Sequence, residues 1–320
     1  MEIAYPFRTI HKGGGMPIPT SRTHEAATVC VENALCTGCG LCVSVCKDFY
    51  LRLHEGKASL AAQPIFGCVG CGHCMAICPT GAISVQGRSL GPKDMFSLPP
   101  MGGAADFAGL HALLQRRRSV REFLPEPVAQ EQIQAILDAA RTAPTGVPPS
   151  DVNVLVLDSL EKNRAFVRDF CEHLKTLRWL TAPWFLTLMR PFWGRANHEL
   201  FSNFVRPALA AFTASMDAGR NIVTYDAPLL MYFYASPWAD PADPVVAATL
   251  AMLAGEAQGL GTCMIGSMHP LIQWGGSAAR FRQRYGIVHK SREGLVVLFG
   301  RPRVHYTRGI ERSFASVTRP

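Results

Sequence analysis

The 320-residue sequence contains no run approaching the roughly 18 consecutive apolar side chains of a membrane-spanning helix, so no membrane span is expected. It has no long Lys/Arg block. The densest basic run is Arg116-Arg117-Arg118, so the formal net charge of +8 points to an anionic partner other than nucleic acid. Met1 to Thr20 carries Gly, Pro and scattered charge but no apolar core, and no export signal is expected there. A G-x-S-x-G nucleophile turn is missing, and so is a G-x-G-x-x-G strand–turn–helix unit. Neither a serine-hydrolase elbow nor a dedicated Rossmann dinucleotide site is therefore expected. Charged residues make up 18% and hydrophobic residues 48%, which excludes a disordered chain and suits a globular protein whose length suggests two domains.

What the sequence has in quantity is cysteine, eleven in all, eight of them between Cys36 and Cys78. Without an export signal these read as metal ligands in a reducing cytoplasm, not as disulfides. Cys36-Thr-Gly-Cys39-Gly-Leu-Cys42-Val-Ser-Val-Cys46 and Cys68-Val-Gly-Cys71-Gly-His-Cys74-Met-Ala-Ile-Cys78 share the spacing C-x2-C-x2-C-x3-C. Structural zinc sites use two ligand pairs and a longer spacer, so this density favours iron–sulfur clusters. The glycines at 38, 40, 70 and 72 allow tight turns that aim N–H groups at sulfur. The pattern, with Pro79 after the last cysteine, resembles a bacterial two-cluster ferredoxin domain, although Lys47 stands where the first run would show a second proline. In that pattern the fourth cysteine of each run crosses to the other cluster. The resemblance implies one 4Fe–4S cluster on Cys36, Cys39, Cys42 and Cys78, and a second on Cys68, Cys71, Cys74 and Cys46. His73 reads as a surface or supporting residue, and Cys30 and Cys171 as buried small hydrophobes.

Residues 25–88 are expected to form this domain, 89–105 (Gly/Pro/Ser-rich) a linker, and 106–320 a second domain. Asp106 is placed to cap a helix through Leu110, Leu113 and Leu114. Glu131–Arg141 shows helical periodicity, with Ile133, Ile136, Leu137 and Ala140 on one face and Pro144 beyond. Val152–Leu157, Pro228–Ala235 and Gly294–Gly300 read as strands, and Val245–Gly259 as an Ala-rich helix. Strands and helices mix without strict alternation, which favours α+β. Between Leu177 and Arg206 lie Trp179, Trp184, Phe185, Phe192, Trp193, Phe201 and Phe204 among four arginines. The main expectation is that these rings are core; the alternative is a lid over a flat, anionic substrate.

Four segments of the second domain resemble the nitroreductase family. They are Arg117-Arg118-Ser119-Val120-Arg121-Glu122-Phe123, Ala139-Ala140-Arg141-Thr142-Ala143-Pro144-Thr145-Gly146, Gly259-Leu260-Gly261-Thr262-Cys263-Met264-Ile265-Gly266, and Phe299-Gly300-Arg301-Pro302 followed by Arg308. The resemblance implies a three-layer α+β fold, a homodimer, and FMN. Arg117, Arg118, Ser119 and Arg308 would contact the phosphate and Arg121 the N1/O2 edge of the flavin. Pro144, Thr145 and Gly146 would approach the ring from one side, and Met264, Ile265 and Gly266 from the other. A helix cap followed by a strand is the plainer reading of 259–266. Where the family shows N-x-Q-P, this chain reads Val147-Pro148-Pro149-Ser150-Asp151, losing two amides and two backbone donors. Tyr225 and His269 are further polar candidates without a motif.

The implied function is a flavin-dependent reductase. Electrons would enter through the clusters, and hydride would pass from FMN to a small electrophile such as a nitroaromatic, quinone, activated alkene or aryl halide. No amino-acid nucleophile is needed. An acidic donor such as ferredoxin or flavodoxin suits the basic chain, and NAD(P)H remains an alternative. Two rival readings are an electron-transfer module without its own substrate and a redox sensor.

Overall fold

The computed structural model describes residues 26–47, 49–64, 67–148 and 150–319. The expectation for Met1 to Thr20, and Pro149 in the departure noted above, lie outside them. The chain divides into two compact units. The first holds the described residues up to Met101 together with Pro144–Asp151 and Ser236–Asp243. The second holds Gly102–Ala143, Val152–Ala235 and the chain from Pro244 onward.

The first unit runs β1 (Thr28–Val31), α1 (Leu41–Cys46), β2 (Leu51–His54), β3 (Lys57–Leu60), α2 (His73–Ile77) and β4 (Ile83–Gln86). β1 pairs antiparallel with β4, from Thr28 opposite Gln86 to Val31 opposite Ile83. β2 and β3 form a hairpin closed by Glu55-Gly56, whose φ angles of 48° and 70° are both positive, as a two-residue type I′ turn needs. The core is small: Ala27, Val29, Leu51, Ala58, Met75, Ala82, Ile83 and Val85 pack with Cys36, Cys42 and Cys74. Cys30 is exposed, contrary to the expectation of burial. It alternates on β1 with the buried Val29, and strand geometry turns successive side chains to opposite faces. Cys171 is buried, as expected.

The second unit opens with α3 (Phe107–Arg116) and α4 (Gln130–Ala140). Asp106 caps α3, its Oδ1 accepting from Gly109 N at 2.7 Å. Yet no residue of α3 is buried, so its apolar face lies open. There follow β5 (Val152–Leu157), α5 (Leu160–Leu177), α6 (Pro183–Leu200), α7 (Arg206–Asp217), β6 (Leu229–Ala235) and α8 (Ala242–Ala257). The chain closes with β7 (Gly261–Ile265), α9 (Met268–Gln273), α10 (Ala278–Arg284) and β8 (Gly294–Gly300). The sheet order is β5-β6-β8-β7, antiparallel throughout.

Every residue of β6 is buried, which its unbroken apolar run requires of a strand covered on both faces. Leu230, Tyr232 and Tyr234 face a core with Phe166, Phe170 and Leu174 of α5 and Phe281 of α10. Leu229, Met231 and Phe233 face another with Ile133 and Ile136 of α4 and Ala248 and Met252 of α8. The result is helix, sheet, helix: three layers of α+β structure.

The aromatic segment is not core. None of its seven rings is buried, and Phe192 is 78% exposed. Phe185 packs against the edge of the first core, and a chain of rings builds out from it, Trp179 on Phe185 (centroids 5.1 Å), Phe185 on Trp193 (6.0 Å) and Trp193 on Phe201 (5.0 Å). Pro191 lies inside α6, and Gly194 breaks it with φ of 79°.

Candidate functional site

In the first unit the eight cysteines surround two spaces. One is lined by Cys36, Cys39, Cys42 and Cys78, with Leu53, Ala58 and Ile83 around them. The other, of about 290 Å³, is lined by Cys46, Cys68, Cys71 and Cys74, with Phe49, Tyr50 and His73. Each space takes three thiols from one run and one from the other. Gly38, Gly40, Gly70 and Gly72 carry φ of 72°, 76°, 70° and 74°, so the two runs repeat one backbone course. At Gly38 the reason is close approach: a Cβ there would lie 1.9 Å from the Gly56 carbonyl oxygen at the tip of the β2–β3 hairpin.

That hairpin serves the first space. Ala58 N donates to Cys36 Sγ at 3.5 Å, and Lys57 Nζ donates to the Cys36 carbonyl. The Ala58 N–H is the main reason the Cys36 thiol is held below its ordinary pKa. Burial pushes Cys78 up, but the Thr80 hydroxyl and neighbouring N–H groups outweigh it and the net direction is down. Burial raises Cys42 and Cys68, and pushes Cys74 up to about 12. Buried thiols of this kind ionise when a cationic centre takes them as ligands. Quartets of thiols around one space each, with an N–H group aimed at sulfur, therefore suit iron–sulfur clusters. Among the described residues no three His, Cys, Asp or Glu side chains converge as they would on one metal ion.

In the second unit, residues 117–121 lie along the outer edge of β7. Ser119 bridges Thr262, and Val120 N donates to Thr262 O at 2.8 Å. Val120 fits there because residue 261 is glycine: a Cβ would come within 2.8 Å of the valine side chain. The chain then passes Pro302, where Leu124 N donates to Arg301 O (2.9 Å) and Arg303 N to Glu122 O (2.8 Å). Arg118 Nη2 would be 3.0 Å from a Cβ on Gly309, the neighbour of Arg308. The structure thus brings together Arg117, Arg118, Ser119 and Arg121, the β7 residues Met264 and Ile265 with Gly266 just beyond, and the Arg308 segment. Among the described residues none of these four arginines has a carboxylate partner at ion-pair distance. Guanidiniums grouped without a carboxylate partner fit an anionic cofactor end, although Arg118 Nη1 also donates to the Gln115 and Arg117 carbonyls (2.9 and 2.7 Å).

Arg121 lies over the Tyr225 ring, 5.8 Å from its centroid. Tyr225 and Asp226 both have positive φ (53° and 51°), which costs a non-glycine residue of order 1–3 kcal/mol. A buried network holds them. Asn163 Nδ2 donates to Ala227 O (2.7 Å), Thr224 Oγ1 donates to Asn163 Oδ1 (2.9 Å), and Asn221 Oδ1 accepts from Thr224 N (2.9 Å). His269 is a different case. Its Nδ1 pairs with Tyr232 Oη (2.9 Å) and its Nε2 with Arg292 O (3.2 Å), so it is a satisfied core histidine whose pKa burial lowers.

Pro144, Thr145 and Gly146 fall in the first unit. There Gly146 N donates to Asp243 Oδ1 at 3.0 Å, and Ser236 Oγ to Asp151 Oδ2 at 2.9 Å. Gly146, Val147 and Pro148 also line the space of the Cys46 quartet. Sequence reasoning missed Lys57 and Asp243, because no motif marks a cation or carboxylate that tertiary packing delivers. Residues 259–266 do form a helix cap and strand, Gly259 at φ of 79° leading into β7, without bearing on a cofactor role.

Comparison with known proteins gives two family matches. Residues 114–301 match the nitroreductase family, and residues 22–83 match a 4Fe-4S dicluster domain. A nitroreductase with bound FMN from Desulfitobacterium hafniense is 18% identical, over 65% of this chain and 98% of its own, with a TM-score of 0.44. One from Bacteroides fragilis, also with bound FMN, is 15% identical over 66% and 98%, with a TM-score of 0.48. Among curated proteins none matches significantly.

Proposed function

This chain belongs to the nitroreductase family, with a dicluster domain ahead of the family segment, and we propose that it is an FMN-dependent reductase fed through two 4Fe–4S clusters. The observation that carries the reading is the pair of four-cysteine spaces on a nitroreductase chain. When bound, the clusters carry electrons singly and the flavin turns them into two-electron, hydride-type reduction of an electrophile.

The residues divide the work. Cys36, Cys39, Cys42 and Cys78 hold one cluster, and Cys46, Cys68, Cys71 and Cys74 the other. Arg117, Arg118, Ser119 and Arg308 hold the FMN phosphate through charge-assisted hydrogen bonds. Arg121, kept in place by Tyr225, supplies a cation at the flavin. Met264, Ile265 and Gly266, beside the arginines on the β7 edge, orient the ring. The self-packed aromatic segment with its arginines offers a surface for a flat, anionic electrophile. The donor is an acidic ferredoxin or flavodoxin, and the enzyme works as a cytoplasmic homodimer.

The test is an anaerobic titration of the purified protein, followed by visible spectra, with NADPH, NADH and reduced ferredoxin added separately. A flavin band over a broad iron–sulfur shoulder, bleached by ferredoxin alone, is the expected result. Bleaching by NAD(P)H would replace the proposed donor. Iron–sulfur absorbance without flavin would refute the FMN assignment.

A further inference from the structure

Arg88 is 6% exposed and is the one buried Lys or Arg among the described residues. It sits with Ser89 in a two-residue turn closed by Gly87 N to Leu90 O (2.9 Å) and Leu90 N to Gly87 O (3.0 Å). Both central residues have positive φ, 52° and 66°. That is type I′ geometry, which sequences normally fill with Asn-Gly and which strains two residues bearing side chains. The strain places a cation. Arg88 packs on Gly70 inside the second cysteine run, where a Cβ would meet its own Cβ at 3.2 Å and its Cδ at 3.5 Å. Its Nη2 donates to Pro148 O at 2.5 Å. All these residues belong to the first unit.

We infer that Arg88 is a positioning residue that raises the reduction potential of the cluster held by Cys46, Cys68, Cys71 and Cys74, and fastens the Gly146–Pro148 segment beside that cluster. The inference rests on the cluster assignment proposed above. One-electron reduction adds a negative charge and no proton to a thiolate-ligated cluster, so a buried cation favours the reduced form. The counterpart at the other space is Lys57, which is exposed, so water and salt screen it. The two clusters are thereby made unequal, and an electron comes to rest at the one that 146–148 lines. The departure Val147-Pro148 gains a purpose: proline gives up an N–H but keeps the carbonyl that Arg88 binds.

The test is a dithionite redox titration of the full chain, followed by EPR, with iron, sulfide and flavin measured on each sample. Arg88→Gln is expected to move one of two reduction waves to lower potential by at least tenfold in the equilibrium, about 59 mV for one electron, leaving the other in place. Arg88→Lys should restore most of it, and Lys57→Gln should shift only the other wave, by less. If Arg88→Gln folds poorly, the same change is made with Ser89→Gly, which removes the strain at the second turn position. Waves that do not move, or that both move equally, would overturn the inference and leave the reductase reading standing. A wild-type protein binding fewer than two clusters would overturn both.

Discussion

Replacing Gly38 with alanine should cost the protein one cluster and spare the other. Two effects add. Alanine at φ of 72° pays about 1–2 kcal/mol for left-handed backbone. The new methyl would also lie 1.9 Å from the Gly56 carbonyl oxygen, and backbone contacts below 3.0 Å essentially do not occur. The hairpin tip must therefore retreat by about 1.1 Å, which draws Ala58 N, now 3.5 Å from Cys36 Sγ, beyond hydrogen-bonding reach. Overpacking of this kind costs about 1–3 kcal/mol more. Gly81 separates the two contributions: its φ is 66°, and a Cβ there meets nothing within 4 Å. Gly81→Ala should lose only the backbone share, roughly 4–8 °C of melting temperature per kcal/mol for a domain of this size, and keep both clusters. Gly38→Ala should melt lower still, with about half the iron and one EPR signal. Equal melting temperatures and full iron in both variants would refute the idea that the hairpin is seated on Gly38.

Three further outcomes are expected. Burial lowers the pKa of His173 and His269, so the unfolded chain alone takes up their protons below about pH 6.5. Stability is then full above that pH and falls by up to about 1.4 kcal/mol per pH unit for each as pH drops; the double variant His173→Gln, His269→Gln should flatten this slope in thermal melts. Asn163→Ala leaves Ala227 O and Thr224 Oγ1 without their buried partner, costing about 2–4 kcal/mol, and should loosen Tyr225 and weaken FMN retention measured by fluorescence. Stripping iron with ferricyanide and chelator should abolish amide-exchange protection in β1, α1, α2 and β4 but keep it in β6 and β8, since only the second unit has a large apolar core.

The cysteine runs were legible because their chemistry is local: the spacing itself puts thiols at one corner of a cluster. β6 and β8 were legible because a short apolar run between turn residues has few other places to go. The β2–β3 hairpin was not read, since Leu51–His54 and Lys57–Leu60 alternate too weakly to announce strands. The aromatic segment misled because rings that stack on each other at the surface leave the same composition as rings in a core. The Arg88-Ser89 turn could not be read at all, as neither residue favours positive φ; the Gly87–Leu90 backbone hydrogen bonds and packing on Gly70 and Pro148, which no local motif announces, help hold it there. Likewise nothing in the spacing of residues 144–151 and 236–243 announces that they cluster with a unit that begins over a hundred residues earlier.

The exchange of one thiol between the two runs also has a consequence for how the protein is born. A nascent chain ending before Cys74 contains a full quartet for neither space, although six of the eight thiols are already present. The quartet that starts second is complete at Cys74. The one that starts first, at Cys36, must wait for Cys78. At about 5–20 residues per second the two completions are separated by under a second. The cell's iron-delivery machinery therefore meets either an incomplete pair of sites or a finished one, with almost no interval in which a half-loaded domain has to be managed.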